Sequence, residues 1–310
     1  MANSLQKVKF STAIGTPTYQ RLISQTLGDK KKVERYTAAI MSAVATNPQL
    51  QQCEAATILS GSLLGESLGF AHSPQLGQYY LVPFKVKEKK VKDAQGNWTT
   101  VPEHYDAVFV PGYKGYIQLA IRSGVYLHIN ALEVKRGELI KYDPFDDYIE
   151  LAPMQDFEER ETAETIGYYA MFEYLNGFKK VLYWTKEQMI RHADRYSPAF
   201  SAAAYAKIQR GEIDEKDMWK YSSFWYKDFD SMAKKTMLRQ LISKWGVMSI
   251  EMQTAFESDG KALAMGDKGG FEIIEAEETT PEITPEPEKT AEGKPSKEQT
   301  ASSQISIDEL

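Results

Sequence analysis

Four carboxylates lie close together in the middle of the chain, at Asp143, Asp146, Asp147 and Glu150. Carboxylate oxygens bind divalent cations, and a cation held in this way can promote hydrolysis of a phosphodiester. One interpretation of the cluster is therefore a metal-dependent nuclease. The other is a plain acidic turn, because Asp and Pro are typical turn residues.

A second group combines cations with aromatic rings. Residues 179–244 contain fourteen Lys or Arg against eight Asp or Glu. Cations that contact phosphate and rings that stack on bases bind single strands of any sequence. The candidates from 191–207 are Arg191, Arg195, Tyr196, Phe200 and Lys207. Each aromatic residue could equally be part of the core.

Two predicted helices add further cations. In the helix at 113–123, Lys114 and Arg122 lie on one face, and a lysine beside free backbone N–H groups predicts a phosphate seat. An ordinary amphipathic helix is the alternative. Its expected apolar face consists of Tyr113, Tyr116, Ile117, Ala120 and Ile121. In the helix at 228–245, Lys235 and Arg239 are four residues apart and share a face, with Lys234 adjacent.

A lysine run occupies the turn of a predicted hairpin, at Lys85, Lys87, Lys89, Lys90 and Lys92. Lysines at such positions are typical of solvated strands that resist edge-to-edge pairing. We therefore place the predicted phosphate contacts on the helix faces rather than on this turn.

Several kinds of chemistry have no support in the sequence. The chain lacks the G-x-x-x-x-G-K-[ST] loop that cradles ATP phosphates. The four histidines are scattered without ligand spacing, and no Ser-His-Asp arrangement can be assembled. We expect no catalytic residue, no metal and no cofactor, and so a binding protein rather than an enzyme.

The elements that position these residues alternate between helix and strand patterns, which predicts an α+β fold with a small antiparallel sheet of hairpins packed against helices. N-terminal helices are expected at about 17–68 and the sheet with further helices at 77–258. Gly61, Gly65 and Gly69 fall at spacing four, which predicts a helix face that packs closely.

The charge is unevenly distributed. Residues 271–310 contain eleven acidic side chains and three lysines, which leaves residues 1–270 with a net charge of +2 although the whole chain carries −6. The last forty residues are also rich in Pro, Glu, Thr and Ser, a composition typical of disorder. We predict a core at 1–270 and a disordered acidic tail at 271–310.

Four segments resemble, in the same order, the RecT family of phage-type single-strand annealing proteins. At 109–124 a strand leads into a Gly-Tyr-Lys-Gly helix followed by Arg-Ser-Gly. The other segments are Tyr-Leu-Val-Pro-Phe at 80–84, Arg-His-Ala-Asp-Arg-Tyr-Ser at 191–197 and the helix at 228–245. The resemblance covers roughly residues 45–250 and leaves the tail outside.

The resemblance implies a protein that coats single-stranded DNA, assembles into a homo-oligomeric ring or filament, and anneals complementary strands without ATP in homologous recombination. Expected partners are single-stranded DNA, the annealed duplex and further copies of the chain, together with a partner exonuclease and the host single-strand-binding protein. A protein that coats DNA without annealing it is not separated from this by sequence.

A cytoplasmic location is expected, without a membrane partner. No apolar run approaches the roughly 18 residues of a membrane helix, and the N-terminus lacks the apolar region of a secretory signal. Cys53 is the single cysteine, so no intrachain disulfide can form.

Overall fold

The computed structural model describes residues 9–92, 96–265 and 271–274. Helices and small antiparallel sheets alternate along these ranges, which confirms the predicted α+β class. Residues 275–310, most of the predicted tail, lie outside the described residues. Within the described ranges, none of the helices combines the length and hydropathy that crossing a membrane requires.

Eleven α-helices are assigned in the described ranges. They are α1 (Phe10–Ile14), α2 (Pro17–Leu27), α3 (Lys30–Thr46), α4 (Ala55–Ser67), α5 (Tyr113–Ser123), α6 (Phe157–Thr162), α7 (Lys186–Tyr196), α8 (Ala202–Gln209), α9 (Phe224–Lys227), α10 (Phe229–Trp245) and α11 (Ile250–Ser258). Within the predicted N-terminal helical region, α2 and α3 are separate helices, because Gly28 adopts a φ of 70° and Asp29 caps α3 with its side chain.

The strands form hairpins and two larger sheets. They are β1 (Tyr79–Val86), β2 (Lys89–Lys92), β3 (Trp98–Val101), β4 (His104–Pro111), β5 (Tyr126–Lys135), β6 (Leu139–Asp143), β7 (Tyr148–Leu151), β8 (Thr165–Tyr174), β9 (Lys179–Thr185), β10 (Lys261–Met265) and β11 (Phe271–Ile274). One sheet has the order β1-β4-β10-β11 and another the order β5-β8-β9, while β2–β3 and β6–β7 are separate two-stranded sheets.

Strand β11 occupies the first four residues of the segment that we predicted as a disordered tail. It pairs antiparallel with β10, with Ala262 opposite Ile274 and Met265 opposite Phe271. Phe271 also packs against both hydrophobic clusters of the molecule. For Phe271–Ile274 the prediction of disorder is therefore wrong: an aromatic and two isoleucines supply enough apolar surface for a strand.

Helix α4 lies against strand β1 at very short range. A Cβ atom at Gly61 would come within 2.8 Å of Leu81 Cδ2, and one at Gly65 within 2.7 Å of the Tyr79 ring. The predicted close-packing face is thus confirmed at these two positions. Around this contact one hydrophobic cluster joins α1–α4 to β4, and a larger one joins β4, α5, the three-stranded sheet and helices α7–α11.

Candidate nucleic-acid interface

Helix α5 begins where β4 ends, and two glycines determine its position. A Cβ atom at Gly112 would lie 2.1 Å from the Gly77 carbonyl oxygen, and one at Gly115 would lie 2.2 Å from that of Gln78. The Gly-Tyr-Lys-Gly segment therefore lets the first turn of α5 approach a neighbouring backbone closely. Lys114, between the two glycines, is exposed to solvent.

The buried face of α5 differs from the predicted one. Tyr116, Leu119 and Ala120 are buried, whereas Ile121 is 56% exposed. The predicted end of this helix at residue 123 is confirmed, because Gly124 is left-handed and donates its N–H to the Ile121 carbonyl. Arg122, in the last turn, is exposed and lies over the Phe70 ring, with Cζ 5.8 Å from the ring centroid.

A narrow crevice separates the first turns of α5 and α10. Tyr80, Tyr113, Phe224 and Met232 contribute to its largely apolar lining, and Lys235 lies at one side. Its volume is about 30 Å³, which holds a water molecule but no nucleobase. The crevice therefore does not provide a base pocket beside Lys114.

Lys235 and Arg239 do not form the open basic face that we predicted. Lys235 Nζ donates to Asp259 Oδ1 over 2.7 Å, and the two side chains are 9% and 7% exposed. Arg239 contacts the other oxygen of Asp259 and donates to the Tyr116 hydroxyl over 3.2 Å. Burial lowers the pKa of Lys235, and Asp259 opposes that shift. The expected placement is wrong for Lys235, because a spacing of four residues cannot show which helix face meets the rest of the molecule.

Lys234 is also paired. Its Nζ lies 3.1 Å from Glu133 Oε2 and 4.9 Å from the Tyr113 ring centroid, and its side chain is 15% exposed. Burial raises the pKa of Glu133, but a backbone hydrogen bond, Lys234 and Arg160 together lower it below its ordinary value. This pairing joins α10 to β5 and offers little free charge to a phosphate.

Exposed aromatic and cationic side chains do meet on α7, as the interleaved sequence predicted. Tyr196 is 64% exposed, and the Arg195 guanidinium lies over its ring at 5.3 Å. The His192 ring lies 4.7 Å from that of Tyr196 and 5.1 Å from that of Trp184 on β9, measured between centroids. Thr185 caps α7, and this capping box sets where the helix begins after β9. It thereby sets the positions of His192, Arg195 and Tyr196 on the helix.

The end of α10 extends the same region. Helices α7 and α10 both pack against β9. Burial lowers the pKa of His192, and the positive charge of Lys244 lowers it further. Lys244 Nζ is 5.7 Å from the Trp245 ring centroid, and Trp245 is 38% exposed. We call Trp184, His192, Arg195, Tyr196, Lys244 and Trp245 the aromatic–cationic surface.

Sequence reasoning missed half of this surface. Trp184 comes from β9 and Lys244 and Trp245 from α10, at least 60 residues further along the chain, so no local spacing connects them. The sequence did contain one relevant signal, the adjacent Lys244 and Trp245 at the predicted end of α10. A cation near a helix C-terminus is favourable.

The other candidates from this region have different environments. Phe200 is 5% exposed and its ring contacts those of Tyr205, Trp225, Tyr226 and Phe229, so it belongs to the core. Arg191 is exposed and lies 3.7 Å from Glu187. Lys207 is exposed in the last turn of α8. For Phe200 the core alternative is the one that the structure shows.

The carboxylate cluster is the β6–β7 turn. Asp143 accepts the N–H of Phe145, Asp147 pairs with Lys180 at 2.7 Å, and Glu150 accepts from the Tyr148 hydroxyl. Among the residues that the structure describes, no three His, Cys, Asp or Glu side chains are grouped so that they could hold a metal ion. The described geometry of this turn thus gives the nuclease alternative no support.

Exposed cations beside exposed aromatic rings, on a scaffold of small sheets and helices, are features of proteins that bind single-stranded nucleic acid. Residues 34–282 match the model of the RecT family, and the chain belongs to that family. It is 31% identical to the uncharacterized protein YqaK of Bacillus subtilis (strain 168) over 278 residues, 88% of this chain and 81% of that protein. It is 24% identical to protein RecT of Escherichia coli (strain K12) over 267 residues, 85% of each chain. Membership in this family supports a role in DNA recombination by strand annealing.

Proposed function

We propose that this protein binds single-stranded DNA and anneals complementary strands without ATP, as an oligomer of its own copies. The observation that carries the proposal is the aromatic–cationic surface on a chain of the RecT family. Its rings offer stacking faces to bases of any sequence, and its cations offer charge to the phosphates between them. Neither kind of contact selects a sequence, which annealing of arbitrary strands requires.

The proposed reaction makes and breaks no covalent bond. Neutralising phosphates lowers the repulsion between two strands, and stacking keeps bases extended so that a second strand can pair with them. Base pairing itself supplies the driving force, so no nucleotide needs to be hydrolysed. Annealing of labelled complementary oligonucleotides should therefore proceed at the same rate with and without ATP, and strict ATP dependence would contradict the proposal.

The surface is tested by removing its two outer cations. For single strands each lost phosphate contact flattens the salt dependence of log K by about 0.7. Replacing Arg195 and Lys244 together with Gln should thus reduce the slope by about 1.4 and weaken binding to all sequences alike. The measurement is fluorescence anisotropy with an oligonucleotide at several salt concentrations.

A matched control removes two exposed cations at the start of α3. Lys30→Gln with Lys31→Gln makes the same change of net charge at exposed positions of a helix that packs in the other hydrophobic cluster. If both double variants lose the same affinity and slope, long-range attraction explains binding and the aromatic–cationic surface is not the contact. Circular dichroism of each variant confirms that it is folded.

A further inference from the structure

Strands β2 and β3 form an arm that extends the β1–β4 hairpin. The β1–β4 ladder ends with Val86 opposite His104, and after two residues on each side the ladder resumes with Lys89 opposite Val101. The arm forms a two-stranded sheet of its own. Because a two-stranded hairpin by itself is marginally stable, a polar arm of this kind calls for a functional explanation.

One face of the arm carries two cations and an aromatic ring. Side chains alternate between the faces of a strand, so Lys90 and Lys92 share a face with their cross-strand partners Thr100 and Trp98. Trp98 is 66% exposed, and Lys92 Nζ lies 5.1 Å from its ring centroid. Lys90 and Lys92 are exposed as well. This face repeats the combination found at the aromatic–cationic surface.

The arm is remote from the start of α5. Helix α5 follows Pro111, which pairs with Tyr79 at the opposite end of the ladder from the arm. Val86 is seven residues further along strand β1 than Tyr79, or about 23 Å at 3.3 Å per residue, and the arm follows this far end. The aromatic–cationic surface lies on a different sheet, at β9, with α7 and the end of α10. A short stretch of single-stranded DNA bound at α5 therefore does not also contact the arm.

We propose that the arm is a second nucleic-acid-binding element, in which Lys90 and Lys92 contact phosphates and Trp98 stacks on a base of a second strand. The inference rests on the proposed function, since annealing brings two strands to one protein. Protection of a strand edge explains the lysines but not the exposed indole of Trp98. A contact between two copies of the chain would bring many like charges together, which is unfavourable. Residues 85–101 contain five lysines against two acidic side chains.

The test measures capture of a second strand. Protein saturated with unlabelled oligo-dT is titrated with labelled oligo-dT at low salt, and parent protein should show a second, weaker binding phase. Lys90→Gln with Lys92→Gln should weaken that phase at least about five-fold and flatten its salt slope by about 1.4. Trp98→Ala should weaken it by a similar factor, and Trp98→Phe should restore part of the loss because a ring remains.

The matched control is Lys87→Gln with Lys89→Gln, which removes the same charge from the first residue of β2 and from the segment that leads into it, and keeps Lys90, Lys92 and Trp98. Equal losses in the two double variants would overturn the inference and leave general attraction as the explanation. A changed oligomer size with unchanged second-strand capture would overturn it in favour of a contact between copies. If first-strand binding were absent from the parent protein, the proposed function itself would fail, a result distinct from loss of the second phase alone.

Discussion

Lys235 Nζ donates a hydrogen bond of 2.7 Å to Asp259 Oδ1, and both side chains are almost wholly buried. The second oxygen of Asp259 accepts from the Tyr116 hydroxyl over 3.0 Å and from Arg239. One carboxylate therefore connects α5, α10 and the turn that follows α11. The charges that we predicted for DNA hold together the helices that carry the family's characteristic segments.

Removing the shared carboxylate should be more damaging than removing one of its cations. Asp259→Asn leaves the Lys235 ammonium buried without a counter-charge, and we expect a loss of about 3–5 kcal/mol of unfolding free energy. Lys235→Met should cost less, because Asp259 retains Arg239 and Tyr116. Urea unfolding followed by circular dichroism measures both. Equal losses in the two variants would show that the carboxylate is not the shared partner.

Two aromatic residues four positions apart should respond in opposite ways. Phe200→Ala opens a cavity in the core and should cost about 3–5 kcal/mol of stability. Tyr196→Ala, at an exposed position, should change stability by less than about 1 kcal/mol and weaken single-strand binding about five-fold or more. Thermal unfolding and anisotropy on the same samples separate the two effects. Unchanged binding by Tyr196→Ala would argue against stacking on this ring.

Stability should fall on mild acidification because of His72. The imidazole is enclosed between Glu66 at 2.9 Å and the Tyr79 hydroxyl at 2.5 Å, and burial lowers its pKa below the ordinary 6.5 despite the nearby Glu66. Below pH 6.5 the unfolded chain binds a proton that the folded chain resists, so stability is lost as pH falls through this window. His72→Gln should flatten the dependence of the unfolding midpoint on pH between 7.5 and 5.5. An unchanged dependence in His72→Gln would contradict this assignment.

Two truncations should distinguish the tail from the sheet. Deleting residues 275–310 removes ten acidic residues and three lysines and should tighten DNA binding modestly, since like charge repels phosphate. Deleting residues 271–310 also removes β11 and the Phe271 packing, and should lower the unfolding midpoint. Differential scanning calorimetry compares the two. If both truncations unfold at the same temperature, β11 contributes nothing to the stability of the core.

The acidic turn should be dispensable for binding. Asp146→Asn with Asp147→Asn should leave DNA binding and annealing within a few-fold of the parent, because these residues form a turn, and Asn tolerates the positive φ of Asp147. Asp147 also pairs with Lys180, so a small loss of stability is expected. Incubation of labelled DNA with Mg²⁺ provides the decisive measurement: a cleavage activity that this variant loses would restore the nuclease alternative.

The sequence by itself determined the fold class, most of the hairpins and the end of α5, because these depend on short-range signals. Alternation along β8 and β9, the Asn176-Gly177 turn, and Gly124 after α5 each act within a few residues. The order of four characteristic segments was likewise sufficient for the family, which residues 34–282 confirm.

Only the tertiary structure decided which cations are free. Periodicity places Lys235 and Arg239 on one face of α10 but contains no information about Asp259, which comes from the turn after α11 and pairs with both. Periodicity also could not predict that Trp184 on β9 lies beside His192, or that Phe200 is buried while Tyr196 is exposed. The physical reason is that burial and ion pairing depend on contacts between residues far apart in sequence, whereas spacing along one element describes only that element.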